Sequence, residues 1–239
     1  MKKDVKKDKK KAKVSVNVAA IVIPLALVVA ICIFKFIFGN ASNFVGNDPK
    51  NLPLNGNFFG TIYKGGFIVP ILMTFLLCVI TFSIERFIAI TKAKGKGSSV
   101  EMIAKVKASL AAKDLQTAIG ACDAQKGSLG AVVKSGLLKY NVADADESLS
   151  KEQKILMIQK EIEESTSLEL PGLEKNLVIL STLSSVSTLM GLLGTVLGMI
   201  RSFAAMGNAG APDSVKLSTG ISEALINTAF GIGSAAIAV

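Results

Sequence analysis

The apolar residues of this chain fall into blocks instead of alternating with polar ones. Four stretches approach the roughly 20 mostly apolar residues that a helix needs to cross a bilayer: Val18–Phe38, Gly66–Ile90, Leu177–Ala205 and Leu217–Val239. The second is broken only by Thr74, Thr81, Ser83 and the pair Glu85–Arg86 near its end. The pattern predicts an all-α, polytopic helical membrane protein, with long transmembrane helices extending into a cytoplasmic helical domain. A soluble bundle with greasy core helices is the competing architecture, but it would alternate apolar and polar residues throughout.

Between the second and third blocks the chain reads as an ordinary soluble segment. Lys94–Ser99 predicts a flexible exit whose serines can cap a following helix. Met102, Ile103, Val106 and Leu110 then recur at helical spacing. LQTAIGACDAQKG and SLGAVVKSGLLKY predict two further short helices, punctuated by Gly127 and Gly136, and NVADADES (141–148) an acidic loop. Lys151–Leu170 predicts a long amphipathic helix ended by Pro171 and Gly172. The expected organisation is a basic tail at 1–17, an anchor span at 18–38, a loop at 39–65 and a span at 66–91. A helical domain at 92–175, a span at 176–206, a loop at 207–215 and a span at 216–239 complete it.

Charge assigns sides to these segments. Eight lysines from Lys2 to Lys13 precede the first block, opposed only by Asp4 and Asp8. The 39–65 segment carries Lys50 and Lys64 alone, whereas Arg86 and thirteen lysines lie between the second and third blocks. Positive charge stays inside, so the tail and the 92–175 domain are expected in the cytoplasm and both loops outside. The lysine run lacks arginine and interleaved aromatics, which favours topology and anionic membrane lipid over nucleic acid as its partner. The first block exceeds a signal-peptide core, and Lys35–Phe38 makes a poor cleavage site, so an uncleaved anchor is expected.

Composition removes most catalytic chemistry. The chain is 50% hydrophobic with a mean hydropathy of +0.51, and it has no Trp and no His. Cys32 and Cys78 lie inside spans and Cys122 in the soluble segment, so neither a disulfide pair nor a zinc or thiol site is implied. No phosphate loop and no Ser/His/Asp set occurs, and no enzymatic activity or cofactor is expected. GLLGTVLG (191–198) superficially has the look of a dinucleotide fingerprint, but inside an apolar block small residues serve close helix packing. Glu161, Glu163, Glu164 and Glu169 read as a solvated, lysine-paired helix face.

Polar residues inside the last two blocks are the candidate chemistry. Glu223 is the only ionisable residue between Leu217 and Val239. A charge at a helix centre costs about 2.5–3.5 kcal/mol on insertion scales and marks function by default. At about 100° per residue, Lys216, Thr219, Asn227 and Ser234 fall within about 40° of Glu223, while Thr228 lies about 140° away. Around Thr195, the residues Ser181, Ser184, Thr188, Gly191 and Ser202 likewise fall within about 40°. Close packing through small residues competes with a hydrated pore lining and would by itself explain the Thr195 face. Glu223 and Asn227 favour the pore, since lipid offers them no partner.

At these residues a family resemblance enters. LSTLSSVSTLMGLLGTVLGMIRSF followed by GISEALINTAFGIGSAAIAV resembles the ExbB/TolQ/MotA proton-channel family, nearest to ExbB, and the likeness extends over about residues 63–239. It implies a homo-oligomer, a pentamer in this family, around an ExbD-like single-span partner that supplies the proton-carrying aspartate. It also implies a TonB-like protein energised by the proton motive force. By position Thr195 matches the family's pore threonine, Glu223 its glutamate and Thr228 the threonine five residues later. Thr188, Ser184, Thr219 and Asn227 join them as expected pore-lining residues. Ser187–Thr188 replaces the family's Ala-Pro, which puts a kink in doubt; the first span is additional, and the fourth is expected to continue beyond Val239. Tol-type envelope maintenance, motility, a non-conducting scaffold and a small-solute carrier are the alternatives. Glu223 is expected near the outer end of the fourth span, facing a lumen that Thr195 shares, with Lys216 about two turns away.

Overall fold

A computed structural model describes residues 20–207 and 214–239. The expected 1–17 tail lies outside the described residues, as does most of the 207–215 loop. The expected class is the one found: the described residues are helical, with four helices long and apolar enough to cross a membrane and no strand. In chain order the helices are α1 (Ala20–Phe38), α2 (Phe58–Tyr63), α3 (Ile68–Lys94), α4 (Ser99–Ala111), α5 (Leu115–Gln125), α6 (Ser128–Asp144), α7 (Lys151–Glu174), α8 (Leu177–Gly207) and α9 (Ser214–Ala238). The chain divides into one unit that runs to Ser83 and resumes at Ile179–Val239, and a second covering Ile84–Val178.

In the first unit α1 packs on α3 through Ala26 and Ala30, four residues apart and therefore on one face. Ala26 meets Cys78, Val79 and Phe82, and Ala30 belongs to a cluster with Val69 and Met73. Its larger residues, among them Ile21, Leu25, Val28 and Phe36, stay exposed. The last turn of α1, Ile33–Phe38, widens to a π-helix, and the Gly39 amide closes it on Phe34 O at 2.9 Å. Buried Asn43 then donates to the carbonyls of Ile37 and Phe38 at 2.8 and 3.1 Å, satisfying acceptors that the helix end leaves open. Its Oδ1 accepts from Asn57, whose own side chain caps α2 at Gly60 N. The segment expected as a plain loop is thus a pinned structure containing a short helix. Gly65 and Gly66 turn the chain from α2 into α3, with Gly66 at a left-handed φ of +79°.

The second unit is a helical domain with Met102, Val106, Ala118, Cys122 and Leu137 at its centre. Gln125 organises its entry: the side-chain amide donates to Lys94 O at 2.7 Å and accepts from Gly127 N and Gly130 N at 3.0 and 3.1 Å. The exit expected to be flexible is therefore tied down by hydrogen bonds. Two boundaries also differ from expectation. Gly136 does not punctuate α6, which runs on to Asp144; a Cβ there would stand 2.9 Å from Ile162, so the glycine lets α7 approach. Pro171 lies inside α7, which ends three residues later at Glu174. Arg86 donates to Gly172 O and Leu173 O, both at 3.3 Å, and so occupies the carbonyls that this end leaves unpaired. Glu85 pairs with Arg86 and accepts from Asn176 at 3.1 Å. Glu161, of the four glutamates expected on a lysine-paired face, accepts from Ser135 at 2.7 Å and faces Lys139 at 3.7 Å.

Candidate ion-pathway site

Helices α8 and α9 meet along a seam of small residues, backbone to backbone. A Cβ on Gly231 would stand 2.6 Å from Ser187 O and 2.7 Å from Gly191 Cα; one on Gly198 would stand 2.8 Å from Gly220 O. Gly194 faces the side chain of Asn227, and Gly220 faces Ser202. Real Cβ atoms do not approach backbone this closely, so glycine is the only residue that permits this spacing. α8 carries no proline and runs unbroken through Ser187 and Thr188. Ser187 and Ser202 are wholly buried, and Ser202 Oγ reaches Gly198 O at 3.1 Å and Leu217 O at 3.3 Å. Ser202, a member of the hydroxyl stripe of α8, therefore serves packing. Ser184, half-buried, reaches Ala235 O at 3.4 Å, and Thr188 donates to Ser184 O at 3.2 Å.

One rim of the seam holds the carboxylate. Glu223 is 6% exposed and lies against Gly66, where a Cβ would stand 2.5 Å from Oε1. It forms a charge-assisted hydrogen bond with Arg201 of α8, whose guanidinium also lies 5.7 Å from the Phe67 ring centroid. Arg201 remains half-exposed, so the pair is anchored on a buried anion and reaches solvent through its cation. Asn227 donates to Gly65 O at 3.1 Å, while its buried Oδ1 has no partner among the described residues. Thr219 donates to Val215 O within its own helix. A cavity of about 920 Å³ opens beside this rim, lined among others by Arg201, Thr219, Glu223 and Lys216.

The other rim holds a hydroxyl pair. Thr195 and Thr228, both half-buried, hydrogen-bond to each other across the seam. Each also lies 3.2 Å from the carbonyl four residues back, Gly191 O for Thr195 and Ala224 O for Thr228. Two hydroxyl hydrogens thus serve three bonds, and only two can form at a time. The helical projection accounts for the separation, since Glu223 and Thr228 differ by about 140° around α9.

The structure brings together Thr195 with Thr228 and Glu223 with the Gly65–Gly66 turn, but it does not bring those two groups onto one face. Arg201 is the residue that sequence reasoning missed, having assigned Lys216 as the nearby cation. Two signals point to it. It is the only charged residue of α8, and in an antiparallel helix pair residues roughly equidistant from the connection meet. No group of three His, Cys, Asp or Glu residues is placed to hold a metal among the described residues.

Comparison with known proteins bears on this site. Residues 124–239 match the model of the MotA/TolQ/ExbB proton channel family. An ExbB-like biopolymer transport protein of Synechocystis sp. is 42% identical over 73 residues, covering 30% of this chain and 35% of that protein. The Tol-Pal system protein TolQ of Haemophilus influenzae is 41% identical over 71 residues, covering 30% and 31%. The chain thus aligns with about a third of the length of each of these relatives. The family region takes in both seam helices, with the hydroxyl pair and the Arg201–Glu223 pair inside it. Residues 124–239, which hold both seam helices, are thus similar to the MotA/TolQ/ExbB proton channel family, in a chain with four helices long and apolar enough to cross a membrane.

Proposed function

We propose that the chain is the ExbB-like, proton-conducting subunit of an inner-membrane motor. It assembles as a homo-oligomer, a pentamer, around an ExbD-like single-span partner and spends the proton motive force to drive a TonB-like protein in outer-membrane transport. The basic tail and the second unit face the cytoplasm, and the 39–65 loop faces the periplasm. The observation that carries this reading is the Thr195–Thr228 hydroxyl pair on one rim of a close-packed seam. Hydroxyls that share hydrogens in this way can accept a proton on one side and release one on the other. Thr195 and Thr228 line the path opposite the partner's carboxylate, with Thr188 and Ser184 continuing it along α8. Glu223, tied to Arg201, keeps the outer mouth polar together with Thr219 and Asn227 and does not itself carry the proton.

The test is gradient-driven proton uptake into proteoliposomes holding the co-expressed complex. Thr195→Val and Thr228→Val remove the hydroxyls at nearly constant volume, and each is expected to lower uptake by roughly a hundredfold while the complex still co-purifies. Ser185→Ala, off the stripe, is expected to leave uptake nearly intact. Full uptake by Thr195→Val in an assembled complex would reject this path. The TolQ relative favours a Tol-type machine as the second reading. Mass spectrometry of the proteins that co-purify distinguishes a TonB-type from a Tol-type coupled component.

A further inference from the structure

The cavity beside Glu223 has a composition that ion conduction does not require. Among the described residues its walls carry Lys50, Lys64, Arg201 and Lys216 against the carboxylate of Glu223, four cations to one anion, which leaves three positive charges. Two of the cations keep donors to spare. Lys64 gives two of its three N–H groups to Pro49 O and Lys50 O, at 2.9 and 3.1 Å. Arg201 gives one N–H to Glu223 and has five in all. Asp48 acts on Lys64 from outside the lining and does not close the cavity.

The remaining wall is apolar. Val45, Leu52 and Val215 line the cavity and stay about half exposed. The lining residues come from the 39–65 segment, the last part of α8 and the first turns of α9, so the cavity sits where membrane helices end. At about 920 Å³ it is many times larger than a phosphate ion and lies within the usual range of ligand pockets, roughly 300–1,000 Å³. A cluster of cations at a span end, bordered by exposed apolar side chains, is the chemistry that receives a charged headgroup while its glycerol and acyl carbons stay on hydrocarbon.

We propose that this cavity binds the phosphate-bearing headgroup of an anionic phospholipid. The full-length protein in neutral detergent is titrated with phosphatidylglycerol and with phosphatidylcholine, and bound lipid is followed by native mass spectrometry. Phosphatidylglycerol is expected to win by about 25-fold or more, and Lys50→Gln/Lys216→Gln to lose about fivefold per lysine removed. Both side chains are exposed, so the substitutions do not burden the fold. Lys151→Gln/Lys160→Gln, which removes the same charge from α7, is expected to keep the preference; the N-terminal lysines remain in every variant. Equal loss in the two double variants would assign the effect to net charge and overturn the site, as would an absent preference in the parent protein. If inorganic phosphate competes as well as a short-chain phosphatidylglycerol does, the ligand is the free ion and the lipid assignment falls.

Discussion

Placing a methyl group at Gly231 and at Gly233 in turn should shift stability in opposite directions, although the two glycines sit two residues apart in the same helix. Both substitutions gain the propensity of Ala over Gly, at most about 1 kcal/mol in a helix interior. At Gly233 nothing lies within 4 Å of the new Cβ, so that gain stands alone. At Gly231 the Cβ would stand 2.6 Å from Ser187 O, 2.7 Å from Gly191 Cα and 3.1 Å from Gly191 N, all backbone atoms that no rotamer change can move. Restoring ordinary contact requires the seam to open by roughly 0.8 Å, and overpacking of this kind typically costs about 1–3 kcal/mol. The difference between the variants cancels the propensity gain and is expected at about 1–3 kcal/mol, or roughly 2–4 °C in melting temperature per kcal/mol for a chain of this size. Thermal melting in one detergent, followed by circular dichroism, measures it. Thr195 and Thr228 lie within about one turn of the opened position, so Gly231→Ala should also depress proton uptake. A Gly231→Ala protein that melts with or above Gly233→Ala would refute the close-packed seam.

Arg201→Gln strands the buried Glu223 carboxylate. The half-exposure of Arg201 reduces the usual penalty for breaking a buried pair to about 1–3 kcal/mol, and Arg201→Gln/Glu223→Gln should recover most of it in thermal melts. Equal losses in the single and double variants would dissolve the pair as an energetic unit. Gln125→Ala leaves Lys94 O, Gly127 N and Gly130 N without their partner; hydrogen exchange in the second unit should report a loss of about 2–4 kcal/mol. Asp114 caps α5, and its hydrogen bonds with the Thr117 side chain and amide hold its carboxyl below the ordinary 3.8. A lowered pKa contributes stability above the unfolded value that is lost as pH falls through the folded one. Asp114→Asn keeps the cap without titrating, so it should flatten the loss of helical signal below about pH 3.8; an unchanged acid profile would argue against the cap's titration.

The four long apolar helices and the helices between them were legible because block length and helical periodicity are local properties of the chain. The polar stripes were legible too, since angular position on a helix follows from residue spacing alone. What each stripe faces is a tertiary matter. The Glu223 face turned out to be covered by a glycine turn and an arginine, and Ser202 of the other stripe to be buried against α9. Arg201 and Glu223 stand 22 residues apart, and only the antiparallel register of α8 and α9 joins them. Lys216 shares the projected face of Glu223, but it stands at the cavity wall with Thr219 while Arg201 holds the carboxylate. Gly136 and Pro171 misled the reading for a related reason. A breaker residue marks a helix end only when no neighbour makes use of it. Gly136 gives room to Ile162, and the carbonyls of Gly172 and Leu173 are taken by Arg86.

The hydroxyl pair behaves as a turnstile. When Thr195 donates to Thr228, the hydrogen of Thr228 must turn to Ala224 O; when Thr228 donates, that of Thr195 turns to Gly191 O. The two settings have opposite polarity along the seam. If the proposed path runs through the pair, a proton handed along it would leave both hydroxyls in the reverse setting, and a second could not follow in the same direction until they rotate back. On the proposed path, traffic past Thr195 and Thr228 would be counted one proton at a time, with a reset between passages that needs two O–H rotations.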